Sequence, residues 1–379
     1  MEPFVHQVGG HFPMACLAKQ TVCKPLNERE HLFYKTLPKI LTPYVPRYEG
    51  NYKAKYIGFE SCLIIFCLGT MRVEVREDDH GYITLIGQPP PNFGTNRRTS
   101  IHHQILQLHH QGDNANRSKS RSSSSGTSKD DTEPDDDDED KVYCNPWALK
   151  CHRDHLKKLG LLTTSSGGHD QDANQPKNLE IPQNYLLLEN LVSRYIFPCV
   201  LDLKVGERQY SDDVSPTKKA RKMAKSASTT SATLGLRLTG MQVYLHSTGK
   251  YLCHNKYFGR DLTDDSFINT LQEFFTANEF IRVDVITQVI SSLKEMIDVL
   301  SKLETYRFYT ASLLVTYDGQ VGTKEPLFDL RLIDFAHSTH RGLRDPIVHE
   351  GPDSGFIQGL KSLIHLLEQL VQKQKEKDP

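Results

Sequence analysis

The chain has 379 residues and a mass of 43.2 kDa, which is enough for one large two-lobed domain or two modest ones. Its formal net charge of −1 and its pI of about 7.0 exclude a global attraction to nucleic acid or to a membrane surface. The eight cysteines form no CxxC pair, and no signal peptide or membrane-spanning run is apparent. A reducing intracellular compartment is therefore expected.

The first residues predict a lobe of short strands followed by a helix. Residues 3–26 read as strands with Gly9-Gly10 as a turn between them, and Lys24 lies near the end of the last strand. A lysine in this position is typical of a lobe that binds nucleotide phosphates, and an ordinary surface lysine is the alternative. Residues 27–42 follow a helical pattern. It has a polar side with Glu28, Arg29 and Glu30, and an apolar side with Leu32, Phe33 and Leu37.

The composition changes after about residue 90. A His/Gln run is followed by a Ser-rich run between Ser118 and Ser128 and by an acidic run from Asp135 to Asp140. Such a segment cannot bury enough apolar surface to offset the entropy lost on ordering. Residues 95–141 are therefore predicted to be a disordered insertion in a loop, which could recruit protein partners.

The segment after the insertion, NPWALKCHRDHLKKLG, predicts a short amphipathic helix. A zinc site is the alternative interpretation of its neighbouring thiols and imidazoles, at Cys144, Cys151, His152 and His155. Their spacing does not give two clean ligand pairs, and a packed Trp147 explains the segment more simply.

The segment PCVLDLKVG, residues 198–206, interrupts an apolar strand with one carboxylate and one ammonium group. Residues two apart in a strand point to the same face, so Asp202 and Lys204 lie side by side, and Gly206 lets the backbone turn away afterwards. A structural ion pair is one interpretation, although its desolvation can exceed the Coulomb gain. The other is chemistry, in which the carboxylate orients or deprotonates a hydroxyl and the lysine holds a phosphate.

Residues 216–225 predict a basic helix that starts at Pro216. Helical spacing places four cations on one face, Lys218, Arg221, Lys222 and Lys225. Like charges repel, so this face requires an anionic partner or full solvation, and a nuclear-localisation or nucleic-acid patch is the generic alternative. A nearby loop could extend the surface or simply be solvated, with His254, Lys256 and Arg260.

The rest of the chain predicts two strands and two packing helices. Residues 309–317 and 327–335 read as strands of a hairpin, and residues 281–303 and 355–371 repeat apolar residues every three to four positions. Asp334 stands at the end of the second strand, where a kinase would carry its metal-binding aspartate, and a turn or cap aspartate is the alternative.

Four ordered motifs carry a resemblance to a known family. LLLEN at 186–190, PCVLDLKVG at 198–206, SLL at 312–314 and IDFAH at 333–337 together resemble the inositol polyphosphate kinase family. The surrounding sequence is most similar to the inositol hexakisphosphate kinases, and the resemblance covers most of the chain outside the insertion. Within this family, members that use less phosphorylated substrates carry glutamines where this chain has Arg221 and Lys222.

The resemblance implies a two-lobed α+β fold, protein-kinase-like or ATP-grasp-like, with an antiparallel N-lobe sheet and a mixed C-lobe. It implies that residues 1–94 form the first part of the N-lobe, 142–191 the rest of it and the hinge, and 192–379 the C-lobe. Asp334 is followed by Phe-Ala where protein kinases have Phe-Gly, which indicates a less mobile loop.

The resemblance also implies the site residues. The catalytic residues would be Asp202, Lys204 and Ser312. ATP would contact Lys24 and the main chain of Glu189 and Leu191, and Mg²⁺ would bind Asp334. Substrate phosphates would contact Lys204, Lys218, Arg221, Lys222, Lys225 and His337.

The implied activity is transfer of the ATP γ-phosphoryl group to inositol hexakisphosphate and to the pentakisphosphate. At roughly −1.5 to −2 per phosphate, six phosphates carry about −9 to −12 charges, which the basic helix would meet. The alternatives are phosphorylation of a free hydroxyl on a less phosphorylated inositol, and a non-catalytic sensor or scaffold. No HRDxxxxN or GxxxxGK[ST] motif is present, which argues against a protein kinase and a P-loop enzyme. Cytoplasmic and nuclear localisation is expected.

Overall fold

The computed structural model describes residues 2–54, 72–77, 83–88, 144–158, 184–277, 280–322 and 325–377. The insertion predicted at 95–141 lies outside these residues. No helix among them is long and apolar enough to cross a membrane.

A seven-stranded sheet forms the first lobe. Its strands are β1 Glu2–Pro3, β2 Ala15–Ala18, β3 Thr21–Pro25, β4 Tyr48–Ala54, β5 Arg72–Glu77, β6 Ile83–Gln88 and β7 Asn184–Glu189. They lie in the order β1-β2-β3-β7-β4-β6-β5. Neighbouring strands are antiparallel except β4 and β6, which are parallel.

A five-stranded antiparallel sheet forms the second lobe. Its strands are β8 Pro198–Val205, β9 Leu236–Leu245, β10 Lys250–Asn255, β13 Ser312–Asp318 and β14 Phe328–Ile333, in the order β10-β9-β8-β13-β14. A separate two-stranded ribbon comprises β11 Thr276–Ala277 and β12 Phe280–Ile281. Strand β8 lies at the centre of the sheet and is buried along almost its whole length.

The described helices lie mostly in the second lobe. They are α1 Glu28–Lys35, α2 Pro146–Lys158, α3 Pro216–Ala227, α4 Phe258–Asp261, α5 Asp264–Phe274, α6 Val283–Leu300 and α7 Ser354–Lys377, with 3-10 turns at Lys39–Tyr44 and Arg341–Leu343. Helices α6 and α7 pack together beside the five-stranded sheet, and their predicted apolar faces are buried. With a sheet in each lobe, the predicted two-lobed α+β fold is confirmed.

Two local predictions near the amino terminus are wrong. Gly9-Gly10 lies in the loop at residues 4–14 between β1 and β2 and does not form a tight turn. The helix expected over residues 27–42 ends at Lys35, because the Thr36 hydroxyl bonds the carbonyl of Leu32 and Pro38 cannot continue the helical hydrogen bonds. Two faces were also misassigned, since Leu32 is 45% exposed and Glu30 is buried.

Aromatic packing joins the first lobe to the second. Phe33 of α1 stacks on Phe335, with ring centroids 4.5 Å apart, and both side chains are fully buried. Phe335 immediately follows Asp334, so this contact brings α1 to the end of β14. Residues that are about 300 positions apart in sequence thereby meet at one point.

Candidate active site

Strand β8 presents Asp202 and Lys204 to the region between the lobes. In the pairing with β13, Lys204 lies opposite Ser312 and Asp202 lies opposite Leu314. The Lys204 Nζ donates to the carbonyl oxygen of Thr310 at 2.5 Å and to Ser312 Oγ at 3.1 Å. Within the described residues, the carboxylate within ion-pairing distance of Lys204 is that of Asp334, just beyond β14, so Asp202 and Lys204 do not form the structural ion pair of the alternative interpretation.

Asp334 links lysines from both lobes. Its Oδ1 lies 2.6 Å from Lys24 Nζ, and its Oδ2 lies 3.9 Å from Lys204 Nζ. Burial acts to raise the pKa of Asp334, but the two ammonium groups outweigh burial and hold that pKa well below its usual range. Its backbone φ of 65° lies in the left-handed region, which aspartate tolerates better than most residues.

Glu30 is a site residue that the sequence analysis missed. Its Oε1 accepts hydrogen bonds from Lys24 Nζ at 2.9 Å and from the Phe335 amide at 3.3 Å. Burial alone would lower the pKa of Lys24, and the carboxylates of Asp334 and Glu30 raise it instead. The signal was available, because positions 30, 33 and 34 share one helical face and the last two are aromatic.

The amino-terminal loop closes over Asp202. Gly9 lies so near that a Cβ there would be 2.5 Å from Asp202 Oδ2. Gln7 fixes this loop by donating its Nε2 to the carbonyl oxygens of Gly9 and Phe12, each at 2.8 Å. Asp202 is buried, and its Oδ1 accepts no hydrogen bond from the described residues. Burial raises the pKa of Asp202 although Lys204 opposes this, which marks the carboxylate as a functional candidate.

A cleft lies between the lobes, with residues of both lobes in its walls. Lys24, Asp202 and Asp334 line it together with Glu189 and Leu191. Its apolar walls include Val22, Tyr34, Leu188, Val200, Leu314 and Ile333. The cleft therefore combines an apolar surface for a planar base with charged groups for phosphates.

Two of the carboxylates that line the cleft, Asp202 and Asp334, fit a hard divalent cation. The described residues contain no group of three or more His, Cys, Asp or Glu side chains that could hold a metal ion alone. Mg²⁺ is usually held by one or two carboxylates together with water and substrate phosphates. Asp334, which is ionised, and Asp202, which has an oxygen without a partner, match that donor set.

Helix α3 carries the predicted cationic face beside the cleft. Pro216 occupies its first turn after Ser215. None of its four predicted substrate residues forms an ion pair within the described part of the chain. Lys219 differs from them, because its Nζ lies 5.3 Å from the ring centroid of Tyr210.

The pKa shifts show which cations lie close together. Burial lowers the pKa of Lys222, and Lys204 and Lys218 lower it further. Burial likewise lowers the pKa of His337, and Lys222 and Lys218 add to the effect. The structure thus gathers these predicted substrate residues around one region, next to Asp334.

A second group of cations lies farther along α3. Burial lowers the pKa of Lys225, followed by the charges of Arg260, Arg237 and Arg221. The sequence analysis did not single out Arg237. It also missed His11, whose Nδ1 lies 3.2 Å from Lys256 Nζ. His254 is occupied elsewhere, since it contacts Glu273 at 2.9 Å.

Comparison with known proteins identifies the relatives of this chain. A family model described as inositol polyphosphate kinase matches residues 185–368. The chain is 34% identical to mouse inositol hexakisphosphate kinase 1 over 436 aligned positions, covering 98% of this chain and 93% of that protein. It is 33% identical to human inositol hexakisphosphate kinase 3, covering 98% and 95%. The inositol phosphate multikinase of S. cerevisiae, solved with ADP and Mn²⁺, superposes with a TM-score of 0.43 at 25% identity, covering 51% of this chain and 86% of that chain.

Proposed function

Because the chain belongs to the inositol polyphosphate kinase family, we propose that it transfers the γ-phosphoryl group of ATP to inositol hexakisphosphate and to the pentakisphosphate. The observation that carries the proposal is the adjacency of two charged zones. One is the Lys24–Asp334–Lys204 chain at the cleft, and the other is the face of α3, whose cations form no ion pair with a carboxylate of the described residues. A nucleotide and a polyanion can therefore meet at Lys204.

The proposed reaction forms a diphosphate. A phosphate oxygen of the acceptor attacks the γ-phosphorus of ATP, a new P–O bond forms, the bond to the bridging β-phosphate oxygen breaks, and ADP leaves. The attacking oxygen is already ionised at neutral pH, so no strong base is required. Catalysis rests on holding the reactants in line and on neutralising their charges.

The site residues divide this work between the two substrates. Lys24, held by Glu30, would contact the ATP phosphates, and Lys204, held by Ser312, would hold the acceptor phosphate. Asp334 and Asp202 would hold Mg²⁺, which when bound supplies positive charge at the phosphates. Glu189 and Leu191 would contact the base through their main chain, because both line the cleft.

A second candidate activity is phosphorylation of a free hydroxyl on a less phosphorylated inositol. One observation favours it: burial raises the pKa of Asp202, and its Oδ1 lacks a hydrogen bond. Such a carboxylate suits a base that accepts a hydroxyl proton. The number of unpaired cations on α3 favours the more highly phosphorylated acceptor.

The test is a product assay with purified protein, Mg²⁺, ATP and inositol hexakisphosphate, resolved by anion exchange. We expect a product more anionic than the substrate, reduced by about a hundredfold or more in Lys204→Ala, because the acceptor phosphate loses its charged donor. Lys250→Ala, on the exposed end of β10, is the matched control and should retain wild-type turnover. If only an inositol phosphate with fewer phosphates is turned over, the protein phosphorylates a free hydroxyl. If both ligands bind and neither is turned over, the protein is a sensor.

A further inference from the structure

Arg237 is a buried cation without an anionic partner. Arg237 is 7% exposed. Among the described residues, its Nη1 contacts only two hydroxyl groups, Ser231 Oγ at 3.3 Å and Thr229 Oγ1 at 3.5 Å. No carboxylate lies within ion-pairing distance of its guanidinium group in the described part of the chain. Buried arginines are nearly always paired, so this arrangement requires an explanation.

The strand register directs Arg237 to the reacting side of the sheet. Arg237 of β9 lies directly opposite Lys204 of β8. Side chains of directly paired antiparallel residues project from the same face of a sheet. Arg237 and Lys204 are therefore neighbours on the face that carries the acceptor site.

A second arginine approaches from α4. A Cβ at Gly259 would lie 2.1 Å from the carbonyl oxygen of Leu238, so the backbones of α4 and β9 are in direct contact. This contact places Arg260, the next residue of α4, near Arg237, which adjoins Leu238. Arg260 forms no ion pair among the described residues and lies over the ring of Tyr257, 5.3 Å from its centroid.

The electrostatic surroundings of Arg237 are positive. Burial and the charge of Arg260 lower the pKa of Arg237 to about 10. Arg237 in turn acts to lower the pKa of Lys225 and Lys222 on α3. Gathering cations around a buried guanidinium is unfavourable in the ligand-free protein, and an anion bound between them reverses the sign of each interaction.

We propose that Arg237, together with Arg260 and Lys225, binds a phosphate group of the inositol polyphosphate other than the acceptor phosphate held by Lys204. This inference rests on the proposed function, and it adds a second phosphate subsite beside Lys204 and Lys222. Two guanidinium groups match a phosphate well, because each offers several donors in a fixed plane. The subsite would favour ligands with phosphates on both sides of the ring.

The test measures ligand affinity for two variants at Arg237. In Arg237→Met, which keeps the length of the side chain, we expect the Kd for inositol hexakisphosphate to rise at least tenfold by titration calorimetry while the KM for ATP stays within twofold. Arg237→Lys should lose less affinity for inositol hexakisphosphate than Arg237→Met, since lysine keeps the charge but not the planar guanidinium fork. The melting temperature of ligand-free Arg237→Met should be unchanged or higher, because a buried, uncompensated cation is removed.

A double variant separates ligand binding from a structural role. If Arg237 only fastens the turn that follows α3, then Thr229→Val/Ser231→Ala should reproduce the effects of Arg237→Met on both affinity and melting temperature. That result, or wild-type affinity in Arg237→Met, would overturn the inference. The proposed function is judged separately by turnover in the wild-type protein. If the wild type is active and Arg237→Met has wild-type affinity, only the second phosphate subsite is refuted.

Discussion

Charge at the cleft is distributed unevenly between neighbouring side chains. Lys24 has two carboxylate partners, at 2.9 and 2.6 Å, whereas one oxygen of buried Asp202 accepts no hydrogen bond from the part of the chain that the structure describes. Asp334 forms ion pairs with both lysines before any ligand arrives. A polyphosphate would thus meet ammonium groups that are already oriented, which is the preorganisation on which phosphoryl transfer depends.

Glu30 provides a direct test of this orientation. Glu30→Gln keeps the shape of the side chain but removes the charge that positions Lys24 and the Phe335 amide. We expect kcat/KM for ATP to fall about ten- to a hundredfold, equivalent to about 1.4–2.7 kcal/mol. Steady-state kinetics with Glu28→Gln, an exposed residue of the same helix, provide the control, and equal kinetics for the two variants would refute the role of Glu30.

Sequence could identify the residues that lie within ordered motifs but not those defined by distant contacts. Asp202, Lys204 and Asp334 belong to short, recognisable segments. In the structure, Asp202 and Asp334 line the cleft, and Lys204 Nζ lies 3.9 Å from Asp334 Oδ2. Glu30 was assigned to the polar side of its helix. Its burial depends on a contact with residue 335, which is too far away in the sequence for a local pattern to reveal. Arg237 stands in an ordinary strand, and Arg260 is brought near it by a backbone contact between α4 and β9.

Helix α3 concentrates the positive charge of a nearly neutral chain. Its predicted face points to the region of Lys204 and His337, whereas Lys219 lies against Tyr210. The helix contains no acidic residue in its first turn, so its own residues do not neutralise the face. Its charge is therefore available to a ligand.

Replacing part of this charge should change substrate preference. In Arg221→Gln/Lys222→Gln we expect kcat/KM for inositol hexakisphosphate to fall at least tenfold, because two cations no longer attract the most highly charged acceptor. Turnover of an inositol phosphate with fewer phosphates should change less than threefold, and the dependence on salt should weaken. Lys219→Gln carries an equivalent substitution on the other side of the helix. A similar loss in Lys219→Gln would mean that overall charge, and not the face, determines the preference.

Elements with a long, regular pattern were predictable, and those set by local chemistry were not. The buried positions of α6 follow from its repeat of apolar residues over 18 positions. Helix α1 has 8 residues, and its end depends on Thr36 and Pro38. A pattern over so few residues cannot distinguish one helix from a helix followed by a 3-10 turn.

At the scale of the whole molecule, burial holds two histidines neutral, and one of them, the half-buried His6, contacts the second lobe. Burial lowers the pKa of His152 on α2 to about 4. Burial also lowers the pKa of His6 to about 4, and this ring contacts Gln242 of β9 through Nδ1 at 3.0 Å. These folded pKa values lie below the value of about 6.5 expected in the unfolded chain.

Stability should therefore depend on pH with a definite sign. The unfolded state binds more protons below pH 6.5, so the stabilisation is complete above that pH and is lost as the pH falls towards 4. Between pH 6.5 and 5, each buried histidine should cost about 1–2 kcal/mol of unfolding free energy. Urea unfolding at pH 7, 6 and 5 measures the slope.

The slope has a matched control. His6→Gln should flatten the pH dependence, whereas His365→Gln, at an exposed position on α7, should leave it unchanged. A wild-type slope in His6→Gln would show that this ring does not titrate on unfolding.

The loop that covers Asp202 makes the amino-terminal segment part of the cleft. Gly9 and His11 reach the second lobe from the first few positions of the chain, and Met14 follows them directly. A deletion that ends just before Met14 would keep strands β8, β13 and β14 but remove one wall of the cleft that Asp202 and Asp334 line. Truncation of this segment would therefore alter the cleft directly while leaving the strands behind it intact.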